Sequence, residues 1–325
     1  MTVNRKIILA IIIAAVLTAA ICYTLWYKQN HKTVQQKTAV EISSVVKEKS
    51  YVQLLFVGDI MFDRGIRYYA QQNGGNEFIF DKISPTLEQN DLVIANLEGP
   101  ITDNKSVSSG TVAGSTNNYF FTFDPSIAKT IFDENIKIVD LGNNHVLNFG
   151  RQGLASTKSY LDQAKVGYFG APDYPKSTSE EVGGVKMTLV SYNQFSDLPE
   201  GVEQQSTIEE IQKARQYSDI VVVFSHWGTE YNLGVDDSTR DIAHSFIDAG
   251  ADLIIGSHPH VIEPIEIYKE KRIYYSLGNF IFDQYFSEDV RNGMGVEVKI
   301  DKQSKQLDFS EEYFHLNSNG QTMLK

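Results

Sequence analysis

Two imidazoles separated by one proline, in the run Gly256-Ser257-His258-Pro259-His260, can present ring nitrogens to one divalent ion or to a neighbouring pair. A polar turn with two surface histidines would read the same way, so the run alone leaves both open. Its position says more. It follows the apolar stretch Leu253-Ile254-Ile255, where a buried strand ends and a loop begins, and an open α/β sheet carries its chemistry at that edge. Asp59, Glu98, Asn144, His145 and His226 close other apolar stretches in the same manner, so four of the seven histidines fall at strand ends. Asp, Glu, Asn and His are the oxygen and nitrogen donors used by sites for Mn, Fe, Zn and similar ions. A carboxylate can bridge two such ions and leave a histidine free for proton transfer. Against this, Asp59 and Glu98 could accept backbone N–H groups in turns, Asn144 could be a turn residue, and His145 could orient rather than react. Trp227 reads as wall or core. His31, His244 and His315 lie outside these stretches and receive no role.

The elements that must position these side chains alternate. Val52 to Asp59, Leu92 to Glu98, Ile136 to His145, Ile220 to His226 and Leu253 to His260 read as five apolar strands, each delivering polar residues at its C-terminal end. Between them, Arg64 to Gln72 has helical character, Asp124-Pro125 reads as a cap before proline at a first helical position, and Ser206 with Glu209 has the form of a capping box. Ile265 to Tyr268 and Arg272 to Ser276 flank Lys269-Glu270-Lys271 as a hairpin. Val296 to Ile300 and Leu307 to Tyr313 alternate as strands, which predicts a β-rich C-terminal layer. The Ser/Thr/Asn/Gly-rich stretch from Ser106 to Asn118 reads as a surface loop able to cover a site.

Length and 42% hydrophobic content allow a large buried core in the 325 residues. The net charge of −12, with no basic stripe, excludes wholesale nucleic-acid binding. A single cysteine, Cys22, excludes an internal disulfide framework and thiolate metal sites. After Arg5 and Lys6 the chain runs apolar from Ile7 to Trp26, the length that crosses a hydrocarbon core. The reading is an uncleaved anchor rather than a signal peptide or a lipid-modified Cys22. Its cytoplasmic stub and anchor occupy 1–27, a spacer 28–50, and an extracellular domain 51–325, in a single-pass cell-membrane protein.

The blocks Phe56-Val-Gly-Asp-Ile-Met61, Asn96-Leu-Glu98, Asn143-Asn144-His145, Ser225-His226-Trp227-Gly228-x-Glu230-Tyr231, Gly256-x-His258-Pro259-His260-Val-Ile-Glu-Pro-Ile-Glu266 and Tyr275-Ser-Leu-Gly-Asn279-Phe-Ile-Phe-Asp283 resemble the capsule-synthesis CapA/PgsA family. That family is similar in turn to calcineurin-like metallophosphoesterases, so the fold implied is an α/β one: a β-sandwich flanked by helices. The resemblance also implies a membrane-anchored part of poly-gamma-glutamate production, working beside other synthase or export subunits and in contact with the polymer. It implies one or two divalent ions, Mn, Fe or Zn. Asp59 and His260 would bind the first, Asn144, His226 and His258 the second, with Glu98 where the superfamily has a bridging aspartate. His145 matches a proton donor to the leaving group. Met61 departs from the pattern, standing where the superfamily has a histidine on the first metal. A thioether is a poor ligand for a hard ion, so that metal is expected to bind weakly, exchange or be absent. Asn279 and Asp283 suit a turn equally and are left out of the ligand set. A cell-surface phosphoesterase unrelated to capsule is the alternative function.

Overall fold

The structure is a computed structural model that describes residues 14–30, 32, 49–199 and 201–325. The chain divides into two compact units, Met1–Lys49 and Ser50–Lys325. In the first, helix α1 spans residues 14–30 with its side chains exposed. Residues 7–13 of the apolar run from Ile7, the basic residues before it and most of the 28–50 spacer lie outside the described residues. Among the described residues no helix is long and apolar enough to cross a membrane.

The second unit is built on two mixed sheets. The first has the order β14-β13-β12-β1-β2-β3-β4, with β11 also pairing β1. Its strands are β1 (Tyr51–Ile60), β2 (Leu92–Leu97), β3 (Ile136–Asp140), β4 (Gly167–Phe169), β11 (Asn279–Ile281), β12 (Asn292–Asp301), β13 (Leu307–Leu316) and β14 (Thr322–Leu324). The other has the order β5-β6-β7-β8-β10-β9, from β5 (Ser177–Val182), β6 (Val185–Asn193), β7 (Ile220–His226), β8 (Leu253–Ser257), β9 (Ile265–Tyr268) and β10 (Lys271–Tyr274). In each sheet the central strands are parallel, β1 to β4 in one and β6, β7, β8 and β10 in the other, with antiparallel strands at the margins.

Alternate residues of each central strand face different cores, which is why these strands read as unbroken apolar runs. Leu54, Phe56 and Ile94 meet Leu189, Val222, Phe224 and Ile255 between the sheets. On the outer face of the first sheet, Leu55, Val57, Val93 and Val139 pack beneath α2 (Arg64–Gln72), α3 (Glu77–Phe80), α4 (Ser84–Leu87), α5 (Ser126–Asp133) and α6 (Gly150–Ala164). On the outer face of the second, Val221, Val223 and Ile254 pack against α7 (Val202–Ala214) and α8 (Asp237–Ala249). The result is helix, sheet, sheet, helix. Trp227 belongs to the third core, fully buried, with its indole N–H donating to the Tyr275 carbonyl at 2.8 Å.

Several sequence expectations are met locally. β9 and β10 form the hairpin, turning through Lys269 and Glu270, both at positive φ as a two-residue type I′ turn requires. β12 and β13 form the C-terminal layer. Asp124 accepts from the Ser126 N–H at 3.0 Å ahead of α5, but the helix starts one residue later than expected, with Pro125 at the N-cap and Ser126 its first residue. The capping box is corrected: α7 begins at Val202 after Gly201 at φ +77°, and Ser206 lies inside it, its hydroxyl donating to the Glu203 carbonyl. β6, a central strand, was not among the five expected.

Candidate metal centre

The C-terminal ends of β1, β2, β3, β7 and β8 come together from both sheets, and every expected site residue sits there. At β1 the parallel register with β2 shifts between Phe56 and Asp59, and the Asp59 N–H donates to the Gly278 carbonyl at 3.1 Å. Gly58 allows this approach, because a Cβ there would lie 1.9 Å from that carbonyl oxygen. After β8, His258 and His260 adopt φ of +95° and +59°. Such values are costly for side-chain-bearing residues and concentrate where geometry serves a site.

Asp59, Glu98 and His260 form one group whose ligand atoms all lie within 4.8 Å of one another. All three are buried. Asp59 Oδ2 is 3.3 Å from His260 Nδ1, and Glu98 Oε1 is 3.6 Å from His260 Nε2. His145 Nε2 lies 3.7 Å from the same Glu98 oxygen. Neither carboxylate oxygen of Glu98 has a hydrogen-bond partner. His226 Nε2 donates to Asn144 Oδ1 at 2.9 Å, and the His226 and His258 ring centroids are 4.8 Å apart. His258 Nδ1 is buried and unpartnered. Asn144 is exposed, so this second group opens to solvent. The half-exposed Phe195 ring, 4.3 Å from that of His258, forms its wall.

Burial drives the charges here. It pushes the Glu98 carboxyl well above its usual range, opposed by His260. It disfavours charge on His260 too, but the facing Glu98 and Asp59 carboxylates outweigh it and hold that proton up to about 9. Burial pushes His145 down to about 4 and His258 to about 3, and drives His226 well below the usual imidazole range. His145 and the second group's histidines are therefore neutral at pH 7, as metal ligation or proton acceptance requires. The Asn148 oxygen, fixed by accepting the Phe121 N–H at 2.9 Å, receives the His145 Nδ1–H at 3.1 Å. His145 Nε2 is thus left as a lone pair facing Glu98.

Residues that the sequence left without a role hold this arrangement. Asn96 donates to Asp59 Oδ1 at 2.7 Å and accepts from Asn143 Nδ2 at 2.9 Å. Asn143 Nδ2 also donates to the Leu97 carbonyl, tying the end of β3 to β2. Asn279 Oδ1 receives the His260 Nδ1–H at 2.9 Å. Asn96 stands two residues before Glu98, hence on one face of the strand, the only sequence signal it gave. Asp283 accepts Arg64 Nε–H at 3.0 Å and the Gly65 N–H at 2.9 Å, a structural tie. Glu266, accepting from His244, Tyr275 and Arg240, is another. Met61 is fully buried in the first core, its sulfur accepting the Asp63 N–H at 3.0 Å, so it offers nothing to the centre. The loop from Ser106 to Asn118 is pinned by the Ser108 hydroxyl donating to Asp63 at 2.9 Å. With Arg64 and Tyr231 it lines a cleft of about 680 Å³, and the Tyr231 ring lies 6.1 Å from that of His260.

The residues fit a divalent ion. A buried Glu98 carboxyl with neither oxygen hydrogen-bonded, facing two imidazole nitrogens at 3.6 and 3.7 Å, is a donor set that an ion could take up, and ligands on ions with bonds of about 2.0–2.2 Å stand about 3 Å apart.

Residues 53–284 match the family described as bacterial capsule synthesis protein PGA_cap. The chain belongs to that family. It is 34% identical over 246 residues to the PGA biosynthesis protein CapA of Bacillus subtilis (strain 168), covering 70% of this chain and 63% of that one. It is 28% identical over 258 residues to the capsule biosynthesis protein CapA of Bacillus anthracis, covering 73% and 61%. The chain thus spans about three fifths of each relative. A hypothetical protein from Thermus thermophilus shares the fold, with TM-score 0.51 and 15% identity over 81% of this chain and 99% of that one.

Proposed function

We propose that this capsule-synthesis family member is a membrane-anchored component of poly-gamma-glutamate synthesis or export, and that its folded unit works through a divalent metal centre. The family match over 53–284 supports the pathway, and the partnerless Glu98 carboxylate carries the metal reading. Asp59, Glu98 and His260 would hold one ion; Asn144, His226 and His258, with Glu98 shared, would hold another. Mn, Fe and Zn suit this donor set. When bound, such ions act as Lewis acids and lower the pKa of bound water. With Met61 turned into the core, the first position has three protein ligands rather than four, which favours an exchangeable ion. The apolar run from Ile7 to Trp26 would anchor the chain, with the folded unit outside the cell beside other synthesis subunits.

The experiment is complementation of a strain lacking this gene in an organism that makes the polymer. Wild type is expected to restore extracellular poly-gamma-glutamate, and Glu98→Ala to fail at equal membrane abundance; restoration by the variant sinks the metal reading. Protease accessibility in intact cells tests the anchor and its orientation. A second reading, cell-surface phosphoester hydrolysis, is favoured by the same donor set, with one correction to the expected chemistry: His145 Nε2, unprotonated beside Glu98, is set to accept a proton and not to donate one to a leaving group. Turnover of a generic phosphodiester reporter with Mn, lost in Glu98→Ala, would support it.

A further inference from the structure

We propose that Asn279 is the positioning residue of the centre: it fixes the Nδ1–H tautomer of His260 and so aims the Nε2 lone pair at Glu98. The inference rests on the metal reading above. Asn279 lies directly opposite Asp59 in the parallel β1–β11 ladder, so a ligand and its neighbour's orienting group share one backbone register. Its side chain is fully buried.

The orientation of its amide follows from its surroundings. Asn279 Nδ2 is 2.9 Å from the Val290 carbonyl, 3.1 Å from Gln284 Oε1 and 3.4 Å from the His260 carbonyl. Main-chain carbonyls can only accept, so the amide NH2 must face them and the amide oxygen must face His260. His260 Nδ1 then meets two acceptors, Asn279 Oδ1 at 2.9 Å and Asp59 Oδ2 at 3.3 Å. It must carry a proton. With Nδ1 so committed, only Nε2, which faces the orphaned Glu98 Oε1 at 3.6 Å, can give up its proton and offer a lone pair to an ion. An ion between the two atoms would take the place of that proton.

The contacts continue outward. Gln284, which accepts from Asn279, donates through Nε2 to the Tyr231 hydroxyl at 3.0 Å, and Tyr231 lines the cleft beside the centre. Asn279 therefore connects the wall of the cleft to a ligand without touching the ion's position itself. An outer partner that sets a histidine's tautomer is worth about 10- to 100-fold in metal affinity.

The test uses the full-length protein in mild detergent, with Zn2+ alone as probe. Affinity is read by calorimetry against a competing chelator for wild type, Asn279→Leu and Asn279→Asp. Both variants lose the same donor contacts to Val290 and Gln284; only Asn279→Asp keeps an acceptor for His260 Nδ1. Asn279→Leu is expected to bind Zn2+ about 10- to 100-fold more weakly, and Asn279→Asp to stay within about threefold of wild type. With 15N-histidine labelling, the Zn-loaded wild type and Asn279→Asp should show His260 with a protonated Nδ1 and a metal-shifted Nε2, a signature that a merely structural role would not produce. Asn279→Leu binding as tightly as wild type overturns the proposal, and so does Asn279→Asp falling as far as Asn279→Leu. Wild type binding no Zn2+ overturns the metal reading itself, a result separable from either variant's.

Discussion

Glu98→Gln should make the metal-free protein more stable while abolishing its response to metal. Glu98 is fully buried and neither oxygen has a partner. An unsatisfied buried polar group costs roughly 1–3 kcal/mol, and more when charged. Glutamine keeps the shape, removes the charge, can donate through its amide to the His145 Nε2 lone pair and can accept through its oxygen from His260 Nε2–H. A unit of this size shifts in Tm by about 2–4 °C per kcal/mol, so the metal-stripped variant should melt roughly 2–12 °C higher near pH 8. Glu98 and His260 are both raised above their unfolded values, so the folded metal-free centre holds more protons than the unfolded chain. Its stability therefore falls as pH rises from about 4.3, the unfolded glutamate value, towards the His260 value of about 9. The gap between the proteins should close near pH 4 and open by pH 8. Metal at about 100 times its Kd adds about 2.7 kcal/mol to wild type and little to the variant, so the order of melting narrows or inverts. Thermal melts followed by circular dichroism, in chelator and in Mn2+, read this directly. A variant melting at or below wild type in chelator at pH 8, or gaining as much from Mn2+, refutes the reasoning.

His145→Ala should retain the metal content of wild type by elemental analysis while any phosphodiester turnover falls by about 10²–10⁴-fold; loss of metal would make His145 a ligand. Asp140, fully buried and pushed up to about 7 by that burial against the Gly142 N–H, costs stability as pH rises from about 4 to 7. Asp140→Asn should abolish that decline, up to about 4 kcal/mol, in denaturant titrations at pH 4.5 and 7.5, and parallel pH profiles would contradict it. Asp283→Ala removes the carboxylate that pairs with the Arg64 guanidinium, about nine-tenths buried, leaving it only the Asn118 oxygens at 3.1 and 3.2 Å, and should cost about 3 kcal/mol in the same titrations without changing metal affinity.

The ends of the central strands were legible because both faces of each strand are buried: an apolar run broken by Asp59, Glu98 or His226, themselves buried, marks where a strand ends and the polar centre begins. What the sequence withheld depends on register. That Asn279 stands opposite Asp59, or that Asn96 meets both Asp59 and Asn143, follows from which strands pair, and β11 and β2 flank β1 from distant parts of the chain. β6 escaped notice because Thr188, Ser191 and Asn193 interrupt its apolar pattern, although the first two lie fully buried or nearly so. The capping box failed because Gly201, at φ +77°, starts α7 one turn earlier than the side-chain pattern suggested. Asn279 read as well for a turn as for a site, and only its contacts to Val290 and His260 separate the two.

The most direct measurement is the metal content of the full-length protein, purified without chelator, exposed to Mn, Fe or Zn and desalted, beside Glu98→Ala and His258→Ala. Wild type should carry about two ions, or one where the three-ligand position exchanges, with Glu98→Ala losing most and His258→Ala losing one. No ion in any of the three, whichever metal is offered, would contradict the account: the orphaned Glu98 carboxylate would then belong to a scaffold kept for assembly, without a metal centre.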